Sequence, residues 1–497
     1  MEQLHFLTAT EVSQHNTPGD CWIVIAGQIW DLTDFASQHP GGSQIIFKFA
    51  GQDATQIYNE IHPPSLIRKT LTISKFKGTL RPSTHITLPT PNVQALVQNS
   101  GANNGFPPLA SILSAQDFEK AAKAMLSPKA YAYYSSAATD LVSVNANMNF
   151  WSRIWFRPRL LRNVTHVNTT CKIQGVTSSV PFLVAPAAMA KLAHPQGELA
   201  IARACKRNGV IQCEGLCRSN RVKASINASY PIEDIISEAP DHPFFFQLYV
   251  NKNKESSELL LKRVWDLGVR VLFLTVDAPV PGKREADERV KAETSISTPM
   301  SGTSSSSDEK GSGLTRTLAT YIDSGLSWCD LVWVRKAWAG KLVLKGLQSV
   351  EDVKLAAEHK VDGVVLSNHG GRNLDTSPPA LLVLLELRKH FPGAFSKMEI
   401  HIDGGIRRGT DILKAYCLGA TAVLLGRPFL YSLAYGERGV ERLIGILRDE
   451  VETGMRLLGV TNLGQLRPGL INTQDINHLL VHSLDELNGG QSLKPKI

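Results

Sequence analysis

Two histidines, each close to paired glycines, stand out in this chain of 497 residues. One lies in VVLSNHGGRNLD (364–375), where an apolar run ends in Asn368, His369, Gly370, Gly371 and Arg372. An imidazole and a guanidinium three positions apart at a strand end can take a proton from a small acid while gripping its carboxylate in two parallel hydrogen bonds. The glycines let the backbone turn beneath a ligand without side-chain collision. A lone histidine there is more often structural, and it is the neighbouring arginine that favours chemistry. The other histidine is His39 in HPGG, with His62 following in NEIHPP. Two imidazoles on opposite faces of a haem would saturate its iron and suit it to electron transfer. HPGG alone more often marks a turn with a surface histidine.

The elements that must position these groups repeat one theme from about residue 180: a short apolar strand, a chemically capable cluster, then a helical stretch. The strands are PFLVAPAAM, an interrupted one near GVIQC, FFFQLYV, VLFLTVDAP, KLVLKG, GVVLSNHGG, EIHIDGG and AVLLGRPF. Eight such units predict a closed parallel (β/α)8 TIM barrel, with Lys345, His369, Asp403 and Arg427 gathered where the carboxyl ends of the strands converge. A doubly wound sheet is the alternative, but no Gly-rich dinucleotide turn joins a first strand to its helix.

In front of the barrel, short apolar runs and turn signals over residues 1–80 predict a small α+β module. Residues 81–109, rich in Pro, Thr, Asn and Gly, read as a linker; the barrel takes 110–480, and 481–497 form a tail. Ser114 and Asp117 are set to cap a helix that opens at SAQDFEKAAKAML. A polar low-complexity tract, Arg289–Gly313, interrupts the barrel and reads as a mobile loop able to act as a lid.

Composition narrows the field. The net charge is +8, yet Lys and Arg are scattered rather than striped, so nucleic acid is not expected. Residues 1–67 carry seven acidic side chains against the single base Lys48, an acidic module on a basic body. No apolar run is long enough to cross a bilayer, and no membrane association is expected. Seven irregularly spaced cysteines predict reduced thiols, and Cys213 with Cys217 lacks the further ligands of a zinc set. The chain opens almost at once on the front module without an Arg-rich leader, which points to the cytoplasm ahead of the mitochondrial intermembrane space.

GDCWIVIAGQIWDLTDFASQHPGG, AGQDATQIY and His62 together resemble the cytochrome b5 family, which implies haem b with His39 and His62 as axial ligands. The barrel segment resembles the FMN-dependent 2-hydroxy-acid dehydrogenases and oxidases through AYYSSAATD, APAAM, QLYV, LTVDAP, KREAD, LVLKG, SNHGGRNLD, IDGGIRRGTD and LGRPFLYSLAYG. The two together resemble the flavocytochrome L-lactate dehydrogenases. That implies oxidation of L-lactate or a related 2-hydroxy acid, cytochrome c as acceptor, and a homotetramer. It also implies roles: His369 as base and Arg372 on the carboxylate, Tyr133 and Tyr249 bonding the substrate, Asp277 orienting His369 and raising its basicity, and Arg284 as a second cation. For the cofactor it implies Ala185, Pro186, Ala187 and Ala188 along the flavin, with Gln247, Thr275 and Lys345 at its ring. Arg407 and Arg427 fall to the phosphate, with Gly404, Gly405 and Gly426 bringing amides close, as the ends of the last two strands suggest, and Asp403 and Ile406 also fall to the cofactor.

The sequence departs from the family after the second strand, where IQCEGLCRSNRVKASINASYP carries extra residues. Anchored on NASYP, Ser225 aligns with a flavin-contacting serine, and Asn227 falls where relatives place an apolar residue. Two other outcomes stay open: an oxidase that returns electrons to oxygen, and a catalytically impaired haem-binding electron-transfer protein. Whether His369 takes the α-proton or the hydroxyl proton is also open.

Overall fold

The structure is a computed structural model that describes residues 6–39, 43–47, 49–62, 66–81, 106–215, 228–291 and 313–481. Most of the expected linker, the serine-rich tract beyond Lys291, the insertion with Cys217, Ser225 and Asn227, and the tail beyond Val481 lie outside the described residues. The chain divides into two compact units, Met1–Phe106 and Pro107–Ile497.

The smaller unit is built on a five-stranded sheet whose middle strands are Asp20–Ile25, Gln28–Asp31 and Phe76–Leu80. Alternation sorts its faces. Cys21, Ile23 and Ile25 join Trp30, Leu32, Ala36 and Ile46 in one core, whereas Val24 points to the opposite side with Val12 and Ile29. His39 ends the short 3-10 turn Ala36–Gln38, and His62 ends the helix Thr55–Ile61, with its amide bonded to Tyr58 O at 2.7 Å.

The larger unit is a closed eight-stranded parallel barrel. Its strands, in chain order, are Phe182–Val184, Gln212–Glu214, Phe244–Leu248, Val271–Thr275, Lys341–Leu347, Gly363–Leu366, Glu399–Asp403 and Ala422–Leu425. Each coincides with one of the eight apolar runs. The second is short but complete: Gln212 pairs with both Val184 and Phe244, so the extra residues begin beyond the strand. Both strand faces are covered, which is why these runs are apolar without alternation. In the third strand Phe245 fills the barrel interior, while Phe244, Phe246 and Leu248 pack outward.

Helix starts follow capping chemistry. Ser114 Oγ accepts from Asp117 N at 3.1 Å and donates to Asp117 Oδ2 at 2.9 Å, starting the helix Ala115–Met125. All six cysteines among the described residues are free thiols. No helix among those residues is long and apolar enough to cross a membrane.

A hairpin, Cys171–Ile173 and Val176–Ser178, closes the amino-terminal end of the barrel, and its Gln174 Nε2 meets His401 Nε2 at 3.1 Å. His401 is wholly buried against Phe273, and burial pushes it down to about 3. Glu399 Oε2 stands 3.6 Å away, but burial raises that carboxyl too, so the contact is not an ion pair at neutral pH. As pH falls below about 6.5, the unfolded chain takes a proton that the folded imidazole refuses, and stability drains away toward pH 3. Between pH 6.5 and 5 this is worth about 2 kcal/mol. His401→Gln is expected to flatten that dependence, read from urea midpoints of the protein at the two pH values.

Candidate active site

The barrel mouth encloses an open cavity of about 1250 Å³, its entrance included. Its walls bring together Tyr133, Ala185 to Ala188, Gln247, Tyr249, Arg284, Lys345, His369, Arg372, Asp403 to Ile406, Gly426 and Arg427. Two expected members stand just behind. Thr275 accepts from Gln247 Nε2 at 2.9 Å and so acts by holding Gln247, and Asp277 lies behind His369. One expected member does not join. Arg407 is half-buried with its backbone amide bonded to Asp411 Oδ2 at 3.2 Å, and it does not line the cavity, whereas Arg427 does. Ser225 falls outside the described residues.

His369 sits on an unusual piece of backbone. His369, Gly370 and Gly371 have φ of 58°, 65° and 77°, three left-handed residues in succession, of which only the histidine pays a side-chain penalty. Its amide is held by Ser367 Oγ at 3.0 Å, and its Nδ1 lies 2.9 Å from Asp277 Oδ1. That leaves Nε2 facing the cavity, 3.4 Å from the Tyr249 hydroxyl. Gly346 makes room for this pair, since a Cβ there would lie 2.5 Å from Asp277 Cβ.

Charge is arranged in the same direction. Burial lowers His369 below the usual imidazole range, with Asp277 opposing it and Lys345 assisting, so the ring is a neutral base at pH 7. The expected rise in basicity from Asp277 is therefore present but outweighed by desolvation. Asp277 itself stays ionised, because His369 and Lys345 overcome the cost of its burial. Burial would lower Lys345 as well, yet Asp403 and Asp277 hold it protonated, with Asp403 Oδ2 at 3.3 Å. Arg372, which lines the cavity, donates to Tyr133 O at 2.7 Å and keeps a buried Nε without a partner among the described residues.

The residues present fit a flavin mononucleotide. Asp403 Oδ1 is buried and has no partner among the described residues, an acceptor left for a hydroxylated ligand. Arg427 donates to Gly370 O at 2.8 Å beside Gly426, where an added Cβ would meet only Ala185 Cβ at 3.8 Å. Gly405 must be glycine for close packing: a Cβ there would collide with the carbonyl of Asn147.

In the smaller unit the ring centroids of His39 and His62 are 5.9 Å apart, with planes at 85°. That gap suits one iron bonded by a nitrogen from each side, the donor set of an electron-transfer haem.

Comparison with known families settles the class. Residues 122–473 match the FMN-dependent dehydrogenases, and residues 8–81 match the cytochrome b5-like heme/steroid binding domain. The chain belongs to the FMN-dependent dehydrogenase family and carries a cytochrome b5-like domain in front. This dehydrogenase is 40% identical to the L-lactate dehydrogenase (cytochrome) of Wickerhamomyces anomalus, over 96% of this chain and 81% of that protein. The Saccharomyces cerevisiae protein of the same name is also 40% identical, over 94% of this chain and 79% of its own length. The spinach (Spinacia oleracea) glycolate oxidase is 37% identical, over 71% of this chain and 94% of that protein. Among solved structures, the recombinant flavin-binding domain of baker's yeast flavocytochrome b2 matches with a TM-score of 0.65 at 40% identity, covering 79% of this chain and 94% of that one. The cofactors of this dehydrogenase are thus FMN and haem b.

Several residues to which the motifs assigned no role hold this site together. Asn147, from the helix Val142–Asn149, forms a reciprocal amide pair with Asn368: Nδ2 to Asn368 Oδ1 at 2.8 Å, and Oδ1 from Asn368 Nδ2 at 3.1 Å. Asp375 caps the same helix, accepting from Ser143 N at 2.8 Å and Asp140 N at 3.0 Å, which holds it down at about 2. Ser367 Oγ lies 3.3 Å from Lys345 Nζ and so links Lys345 to the turn that carries His369.

Asp277→Asn offers a direct probe of the base. With the carboxylate gone, His369 loses its upward pull and its fixed tautomer, so kcat is expected to fall about 10²- to 10⁴-fold. Wild-type kcat/KM should fall as pH drops through the lowered His369 value, and the variant's acid limb should move to still lower pH. A pH–rate profile of both proteins checks the pair of effects.

Proposed function

We propose that this chain oxidises L-lactate, or a closely related L-2-hydroxy acid, to the 2-keto acid, and that its haem b delivers the electrons to a cytochrome-type acceptor such as cytochrome c. The observation that carries this reading is a neutral His369, braced by Asp277 at 2.9 Å, sharing one cavity with the guanidiniums of Arg372 and Arg284. When bound, FMN supplies an acceptor for the electron pair, and haem b passes electrons on singly.

The side chains divide the remaining work. Arg372 and Arg284 hold the substrate carboxylate, which fixes the α-carbon relative to the base. Tyr249, whose hydroxyl is 3.4 Å from His369 Nε2, bonds the substrate hydroxyl on its way to a carbonyl. His369 receives the proton at Nε2, and Asp277 stabilises the resulting imidazolium through Nδ1. Lys345 offsets negative charge that develops on the cofactor side. The facing pair His39 and His62 supports onward transfer over return of electrons to oxygen, which would leave that pair idle.

Absorption spectra of the purified protein before and after anaerobic L-lactate test the reading. The flavin band should bleach, and the haem should then show its reduced spectrum. A flavin untouched by L-lactate and by other small L-2-hydroxy acids would overturn it, and a bleached flavin beside an oxidised haem would point to the oxidase alternative.

A further inference from the structure

We propose that Thr315 is a positioning residue for substrate binding. Its hydroxyl, tethered to the buried Asp287–Lys129 ion pair, sets the Arg284 guanidinium so that one edge is left for the substrate carboxylate. This rests on the functional reading above and extends it to a residue that touches the reaction only through Arg284.

The network starts from charges that are out of water. Asp287 is 0% and Lys129 4% exposed, and Lys129 Nζ donates to Asp287 Oδ1 at 2.7 Å and also to the Asp287 carbonyl. A buried pair of this kind holds as a unit, because removing one partner leaves the other uncompensated. Lys129 lies one helical turn before Tyr133 on the helix Pro128–Ser135, and Asp287 lies on the helix Glu285–Arg289, which Arg284 precedes. The ion pair therefore locks together the two elements that carry Tyr133 and Arg284.

Thr315 transmits that rigidity. Its amide and its hydroxyl both lie 3.2 Å from Asp287 Oδ2. A threonine hydroxyl has a single proton. With that proton given to the carboxylate, the lone pairs remain for Arg284, whose Nη1 donates to Thr315 Oγ1 at 2.9 Å. Arg284 Nε meanwhile donates to the Arg372 carbonyl at 3.1 Å, which leaves Nη2 without a protein acceptor among the described residues. Arg284 and Thr315 both line the cavity.

The chemical merit lies in what touches the guanidinium. A carboxylate bonded directly to Arg284 would compete with the substrate for its charge. Thr315 interposes a neutral hydroxyl, so Asp287 fixes the geometry from a distance while the cation stays available. Burial and the neighbouring Arg372 pull Arg284 down to about 9, which leaves it charged at neutral pH and in need of an anion.

The test uses the full-length holoenzyme with Thr315→Val, which keeps the shape and removes the hydroxyl, and Thr315→Ser, which restores it. Steady-state oxidation of L-lactate is measured with ferricyanide as acceptor, and oxalate serves as a competitive probe of the carboxylate site. Thr315→Val is expected to raise KM and weaken oxalate roughly tenfold, the value of one hydrogen bond to a charged group, with kcat changed less than KM. Thr315→Ser should recover most of the loss, which a mere packing role for the β-branched side chain would not allow. Should valine give no soluble holoenzyme, Thr315→Ala removes the same hydroxyl and carries the same expectation. The proposal is overturned if the hydroxyl-free variant keeps wild-type KM and oxalate affinity, or if Thr315→Ser is as impaired. A wild-type enzyme that no L-2-hydroxy acid reduces would instead overturn the functional reading.

Discussion

With His369 replaced by glutamine, oxidation of L-lactate is expected to fall by about 10²- to 10⁴-fold, the usual value of a positioned general base. Glutamine fills similar space and can still meet Asp277 Oδ1, where His369 Nδ1 now lies at 2.9 Å. It cannot accept a proton at Nε2. Arg372 and Arg284 remain in the cavity wall, so KM should change far less than kcat. The flavin and haem spectra of the resting protein should be those of the wild type. Turnover above about a tenth of wild type, far outside the range expected for losing a base, would remove His369 from that role.

The second large effect separates the two redox centres. His62→Ala removes one side of the facing pair whose ring centroids are 5.9 Å apart. The absorption of a haem held by two imidazoles should disappear, and reduction of cytochrome c by L-lactate should fall by at least ~10–100-fold. Anaerobic bleaching of the flavin by L-lactate should persist, because His369, Arg372 and Arg284 all belong to the larger unit. A stopped-flow comparison of flavin and haem signals distinguishes this from general unfolding, which would silence both.

Much of this site is legible in sequence because barrel geometry converts strand order into proximity. The eight apolar runs mark strands buried on both faces, and whatever follows each run must arrive at one mouth. That rule alone brings Lys345, His369, Asp403 and Arg427 together, and the family motifs supply the remainder. Residues outside the strand–loop rhythm escape it. Asn147 and Lys129 come from helices that precede the barrel, and their partners Asn368 and Asp287 are more than 150 positions away. Pairing over such distances leaves no local periodicity. A faint signal did exist: Lys129 sits among residues that bury a helix face, and a buried lysine must find an anion.

The stretch from Asn368 to Asp375 has a second job beyond presenting His369 and Arg372. Asn368 grips Asn147, and Asp375 caps the helix on which Asn147 rides, so both ends of the stretch are moored to a single element more than 200 residues upstream. Grafting those eight residues onto an unrelated barrel would carry over the reactive groups without their anchorage. Excising the chain before residue 150 would leave the eight strands and the reactive side chains in the sequence, with nothing to aim the base at its target.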